Sequence, residues 1–132
     1  MKATVSINGS PASSSTLTGN STLFGKTIDQ NGDTVINIDG DIQGQISITL
    51  ININSSGTYI FESNSTSRQY ALCSFVISSP LYEFFFATTG SQPGTITIDN
   101  LTSTSIKGSF TSDCVGAGGT VRITNGSFKG EF

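Results

Sequence analysis

GTITIDNLTSTSIKGSFTSDCVGAGGTVRITNGSFKGEF, residues 94–132, is the stretch that decides the fold. Ile96 and Ile98 alternate with Thr95, Thr97 and Asp99, and a period of two returns in Ser105–Ser112 and Thr120–Thr124. That period puts successive side chains on opposite faces of a strand, which a helix cannot do. Gly116, Gly118 and Gly119 predict a flexible loop before residue 120. Asn125-Gly126 is the strongest hairpin signal in the chain, because both residues tolerate φ > 0. It predicts a turn between 120–124 and a last strand at Phe128–Phe132.

The same reading extends back to the first residues. Ala3, Val5 and Ile7 alternate with Thr4 and Ser6 as a half-buried strand, ended by Asn8-Gly9-Ser10-Pro11. Residues 12–22, nearly all Ser, Thr, Gly and Asn, predict a loop. Leu23–Asp29 and Val35–Asp39 form strands joined by a turn at Asn31-Gly32-Asp33, and Asp39-Gly40-Asp41 turns again. Ile42–Ile53 is the longest strand. Its apolar face passes from Ile46, Ile48 and Leu50 to Ile51 and Ile53, which predicts a β-bulge or sharp twist near Leu50-Ile51. Thr58–Glu62 follows. Tyr70–Ile77 is apolar on both faces and so either covered on both sides or central. Leu81–Ala87 sets Tyr82, Phe84 and Phe86 on one face and Leu81, Glu83 and Phe85 on the other. Phe75, Phe84, Phe86, Phe110 and Phe128 are the expected core anchors. No stretch has a helical period.

About ten short strands at this spacing define an all-β chain, a mostly antiparallel β-sandwich first and a calycin-like up-and-down β-barrel as the alternative. Its 132 residues are read as a single all-β domain, 1–132, long enough to bury roughly two thirds of the unfolded surface. Only 11% of residues are charged, the formal net charge is -3, and the six Lys and Arg are scattered from Lys2 to Lys129. No basic stripe points to nucleic acid or to anionic membranes. No apolar run approaches the roughly 20 residues of a transmembrane segment. Low charge, abundant Ser, Thr and Asn, and two cysteines suit an extracytoplasmic chain whose signal has been removed.

The strand motifs Gly94-Thr95-Ile96-Thr97-Ile98, Ile106-Lys107-Gly108-Ser109-Phe110 and Val121-Arg122-Ile123-Thr124-Asn125-Gly126-Ser127-Phe128 resemble those of a family of small secreted Bacteroidetes proteins of unknown function. Gly57-Thr58-Tyr59 and Val5-Ser6-Ile7-Asn8-Gly9 are weaker echoes, and the likeness covers about half the chain. It implies export to the periplasm or cell surface and a lipid anchor on a cysteine upstream of Met1. It brings no catalytic residues.

The chemistry narrows by residue type. The chain has no histidine, which removes Ser-His-Asp and Cys-His catalysis and the commonest zinc ligand. No cofactor motif is present, and the chain reads as a non-enzyme. Cys73 and Cys114 are either a disulfide, closing a loop of about 42 residues worth about 4 kcal/mol, or a buried small hydrophobe and a partly exposed thiol. Asp29, Asp33, Asp39 and Asp41 surround turns that imitate the start of a calcium loop. The loop signature would need Gly at Thr34 and Glu at Gly40, so turn chemistry explains them with less. Glu62 and Glu83 lie inside expected strands, and nothing pairs them as a glycosidase requires. Tyr82, Phe84 and Phe85, with the four aspartates, are the candidate binding surface. Its expected partner is a carbohydrate or a protein, and the role is binding or structural, at the cell envelope. The alternative is a small apolar or sugar ligand inside a barrel. The 12–22 loop, the 29–41 turns and the 81–86 strand are where recognition is expected.

Overall fold

A computed structural model describes residues 1–7, 22–41, 44–62, 66–77, 83–87 and 93–132. Ten strands run through them: β1 (Lys2–Ile7), β2 (Thr22–Ile28), β3 (Thr34–Asp41), β4 (Gln45–Ile51), β5 (Gly57–Ile60), β6 (Tyr70–Ile77), β7 (Glu83–Ala87), β8 (Gly94–Leu101), β9 (Ser105–Gly116) and β10 (Gly119–Glu131). The all-β, mostly antiparallel architecture is the one the alternation predicts. No helix among the described residues is long and apolar enough to cross a membrane.

All ten strands share one sheet. Its main path is β1-β10-β9-β7-β6-β4-β3-β2. On the edge away from β10, β9 changes partner along its length. Ile106–Ser112 pairs with β8, and Cys114 and Val115 pair with Ala87 and Phe86 of β7. β8 in turn carries β5, and a single parallel bridge from Phe61 to Ala71 returns that branch to β6. β6 is central, between β4 and β7.

One face of this sheet is apolar apart from Ser112. Ile36 and Ile38, Ile46, Ile48 and Leu50, Ala71, Cys73 and Phe75, Val121, Ile123 and Phe128 are all buried, and they form one continuous cluster with Phe61, Phe85 and Phe110. Each large side chain buried this way contributes about 1.5–3 kcal/mol. Covering a single face requires the sheet to curl over it, and the result is a half-barrel. The two edges approach: the Phe24 ring of β2 lies against Gly130 of β10, and Lys26 Nζ stands 5.5 Å over the Phe132 ring.

Several local expectations change in the structure. Asp39-Gly40-Asp41 is not a turn but the end of β3, paired with Ser47, Ile46 and Gln45 of β4, and the expected longest strand, Ile42–Ile53, is the seven-residue β4. Asn125-Gly126 makes no hairpin. Asn125 is left-handed, with φ of 53°, but β10 runs straight through it, and the register against β9 shifts between Ile123 and Gly126. The extra residue is absorbed as a β-bulge because β9 continues opposite it. The expected strands at 120–124 and 128–132 are therefore one. The actual hairpin lies just before, where Gly116 pairs with Gly119 around a two-residue loop, so the glycine-rich segment is a tight turn.

The phase slip after Leu50 is not a bulge inside β4 either. The strand ends at Ile51, and Asn52 takes φ of 53°, a left-handed conformation that Asn tolerates better than other side chains. Ile53 then returns to the core. Finally, the faces of β7 are the reverse of those expected. Phe84 and Phe86 are exposed and Phe85 is fully buried. Phe85 pairs with Phe75 of β6, and Phe75 shares the inward face with Ala71 and Cys73. The 12–22 loop apart from Thr22, the Ser79-Pro80 break and Tyr82 lie outside the described residues.

Candidate functional site

The four aspartates divide between the two ends of β3. Asp33 and Asp39 stand six residues apart along an extended strand, roughly 20 Å. Asp29 closes the β2–β3 turn on itself. Its Oδ1 accepts from the Asn31 and Asp33 backbone N–H groups at 2.8 and 2.9 Å, and Gly32 N–H donates to its carbonyl at 3.1 Å. Asp33 accepts from Asn52 Nδ2 at 2.8 Å and from the Arg68 guanidinium. These two donors, Asn52 first, hold its carboxyl below the usual range. Asn52 binds the turn further: its Oδ1 accepts from Thr34 N–H at 2.9 Å, and its Nδ2 also donates to the Arg68 carbonyl at 2.8 Å. Asp29 and Asp33 are thus structural. No cluster of three metal-ligating side chains occurs among the described residues.

Asp39 belongs to a different assembly. Antiparallel pairing sets directly opposed residues on the same face. Leu23 opposes Asp39, Asp39 opposes Ser47, Ser47 opposes Ser74, Ser74 opposes Phe86, and Phe86 opposes Val115. The registers of six strands therefore place Leu23, Asp39, Ser47, Ser74, Phe86 and Val115 in one row across the outer face. Leu23 is 70% exposed, Phe86 51% and Val115 47%. Adjacent rows repeat the motif. Asn37, Thr49 and Leu72 lie on one side of it, and Asp41, Gln45, Val76 and the 56% exposed Phe84 on the other.

The polar centre of this face is held in place. Ser47 Oγ donates to Asp39 Oδ1 at 2.5 Å, and Thr49 Oγ1 donates to Asn37 Oδ1 at 3.0 Å. Each bond fixes an acceptor and leaves Asp39 Oδ2 and Asn37 Nδ2 without a partner among the described residues. A hollow of about 270 Å³ opens where Ser47, Thr49, Leu72 and Ser74 meet Phe86, with Cys73 and Ala87 at its base. No Lys or Arg projects from the outer positions of β3, β4 or β6 that form this face.

Two of the three aromatic candidates can be placed. Phe84, expected both as a core anchor and in the candidate surface, is exposed, whereas Phe85 is a core residue and leaves the candidate surface. Phe86, assigned to the core on sequence, takes its place. Asp41 is exposed at the end of β3 beside Gln45.

A larger groove of about 610 Å³ lies beyond, along β8, β9 and β10. Ile60, Thr95, Thr111 and Thr124 line it, and Arg122 and Asp113 lie in its floor as a bidentate pair, Nε to Oδ1 at 2.8 Å and Nη2 to Oδ2 at 3.0 Å. Their charges neutralise one another, so the groove offers a ligand little unspent polarity.

Cys73 and Cys114 are both free and both buried, 3% and 0% exposed. Cys114 is not a partly exposed thiol. Ser112 Oγ lies 3.4 Å from Cys114 Sγ. The hydrogen bond to Cys114, then burial, push the Cys73 thiol well up, while the same hydrogen bond lowers Cys114.

Comparison of the chain with protein-family models, with curated proteins and with solved structures finds no match.

Proposed function

We propose that the chain is an exported, non-catalytic binding domain of the cell envelope, and that its outer β3-β4-β6-β7 face takes a neutral glycan. The observation that carries this reading is the cross-strand row Leu23-Asp39-Ser47-Ser74-Phe86-Val115. It borders a floor of hydroxyl and carboxylate groups with exposed apolar side chains. A pyranose has the matching character, with C–H bonds on its flat faces and hydroxyls around its rim. Phe84 and Phe86, two residues apart and about 7 Å along the strand, offer ring faces to the former. Asp39, Asn37, Ser47 and Ser74 offer acceptors and donors to the latter. Among the described residues the only charges on the face are carboxylates, which disfavour phosphates and anionic lipids. Export is supported by the low charge and the resemblance to secreted envelope proteins.

The alternative, a small ligand inside a calycin-like barrel, draws less support. The concave face is filled by its own side chains, with Phe61, Phe75, Phe85 and the surrounding Ile and Leu residues 2% exposed or less. The three described pockets are lined largely by outward-facing residues.

Native gel electrophoresis through neutral polysaccharides (soluble glucans, mannan and xylan) tests the reading. Retardation by at least one of them is expected, with a tenfold or greater weakening in the F84A/F86A variant and an unchanged circular dichroism spectrum. Retardation by none, or equal retardation of the variant, overturns it.

A further inference from the structure

The Lys and Arg residues are scattered along the sequence, but the strand registers gather three of them. Lys107 of β9 lies directly opposite Lys129 of β10, and Lys2 of β1 lies opposite Ser127. Lys2 and Lys129 are therefore diagonal neighbours, a separation of roughly 7–8 Å that long side chains span. None of the three has an ion-pair partner among the described residues, whereas Arg68 is held by Asp33 and Arg122 by Asp113. The remaining cation, Lys26, stands over the Phe132 ring. Like charges set directly opposite one another across a ladder destabilise it. The Lys107–Lys129 pair is such a cost, and an anion between the two ammonium groups would remove it.

The surface around them is concave. All three lysines line a pocket of about 400 Å³, together with Ser109, Ser127 and Asp99. Ser109 opposes Ser127 in the row next to the lysine pair, about 7 Å along the strands. Neither hydroxyl has a hydrogen-bond partner among the described residues. Asp99, at the irregularity in the β8–β9 register, is the one carboxylate in the lining. Glu131, two residues beyond Lys129, stays outside it. Three ammonium groups against one carboxylate leave two positive charges in excess, in a chain whose net charge is -3.

We propose that Lys2, Lys107 and Lys129, with the hydroxyls of Ser109 and Ser127, hold a phosphate group. This stands independently of the glycan-binding reading and uses a different part of the sheet. A phosphate on a single ester bond carries about -1.5 to -2 charges at neutral pH, which matches the excess. A carboxylate carries one, and its planar pair of oxygens is best met by the fork of an Arg, whereas Lys acts on phosphate as a point charge. The two hydroxyls can donate to further phosphate oxygens. The pocket has the size of a small-molecule site, so a small phosphorylated alcohol fits as well as the bare ion.

The test is titration of the folded protein, at constant ionic strength, with inorganic phosphate, glycerol 3-phosphate and acetate, read by amide chemical shifts. Saturable shifts at Lys107, Ser109, Ser127 and Lys129 are expected with at least one of the phosphates, about tenfold or more tighter than with acetate. The double variant Lys107→Gln, Lys129→Gln is expected to bind that phosphate about tenfold or more weakly with a native circular dichroism spectrum. Lys26→Gln, which removes an equal charge elsewhere, should bind as the wild type does. Phosphate should also raise the melting temperature of the wild type and leave that of the double variant unchanged. Tighter binding of the glycerol ester assigns the site to a phosphorylated small molecule, and tighter binding of inorganic phosphate to the free ion. Sedimentation with phosphatidylcholine vesicles only when they contain phosphatidic acid assigns it to a lipid headgroup. Phosphates that bind no tighter than acetate, or equally tight binding by the double variant, overturn the proposal. Polysaccharide retardation should persist in the double variant and phosphate binding in F84A/F86A, so the failure of either reading is distinguishable from that of the other.

Discussion

Phe75 and Phe85 oppose each other across β6 and β7, their ring centroids 6.4 Å apart and their planes tilted by 49°. This pair sets the phase of the aromatic strand. Because Phe85 turns inward to meet Phe75, its neighbours on either side are forced outward. Phe85→Ala is expected to destabilise the fold by about 3–5 kcal/mol, through lost burial and a residual cavity. Phe84→Ala and Phe86→Ala, on the open face, should each cost about 0.5 kcal/mol or less. Urea unfolding of the three variants checks this, and equal losses would contradict the assigned faces.

Asn52 joins three segments through one side chain, bonding Thr34, Asp33 and the Arg68 carbonyl while its backbone is left-handed. Asn52→Ala removes the bonds and strains the backbone, an expected loss on the order of 2–3 kcal/mol. Asn52→Gly removes the bonds alone and should recover roughly 1 kcal/mol of that. Thermal and urea melts of the pair separate the two effects.

Gly126 marks the bulge in β10. A Cβ there would stand 2.5 Å from Cε1 of Phe110, and the Phe110 ring is already packed against Phe128 at 6.3 Å. Gly126→Ala is therefore expected to cost about 1–3 kcal/mol by overpacking. Phe110→Leu, which makes room, should offset part of that loss in the double variant, and a double-mutant cycle by chemical denaturation measures the coupling.

Acid should loosen the β2–β3 turn. Asp33 is held below its ordinary pKa by Asn52 and Arg68. A depressed carboxyl contributes stability that is present above the unfolded-state value and lost as pH falls through the lower folded one. The acid limb of the stability curve is expected to flatten in Asp33→Asn, while the curve above pH 6 keeps its shape. Melting temperatures from pH 2 to 7 show it, and identical acid limbs would remove Asp33 from the account.

The Arg122–Asp113 pair is expected to matter little despite its two-bond geometry. Arg122 is largely in water, its side chain 65% exposed, and such pairs are worth about 0–1 kcal/mol. Asp113→Asn should change the urea midpoint only slightly, and less still in high salt.

Much of this fold was legible because period-two alternation is a local property. Ile96, Ile98, Ile46, Ile48 and Leu50 carry it in their own neighbourhoods, and all five are buried. Phe84-Phe85-Phe86 carries none. Three identical residues have no phase, and the partner strand Tyr70–Ile77 is apolar on both faces. Only the pairing of Phe85 with Phe75 decides which ring goes in. At Asn125 the left-handed backbone was legible, yet whether it makes a hairpin or a bulge depends on where β9 ends. The aspartate turn could be read at Asp29, whose partners are two and four residues away. It could not at Asp33, whose partners Asn52 and Arg68 come from distant segments of the chain. The outer row is the extreme case. Six strands must be in register before Leu23 and Val115 lie on one line, and a serine in each of two strands carries no sign of that by itself.

The placement of β1 has a consequence for the order of synthesis. Val5 pairs with Ile123 and Ile7 with Val121, so β1 is synthesised long before its hydrogen-bonding neighbour. Until β10 is made, Lys2–Ile7 is an unclaimed edge, and β9, which receives β7, β8 and β10, has only part of its company. The hairpin around Gly116 and Gly119 is local and fast to close, whereas β1 must cross nearly the whole sequence to reach it, the slow kind of step. Until then the Lys2–Ile7 edge is open to a chaperone or to a second nascent copy.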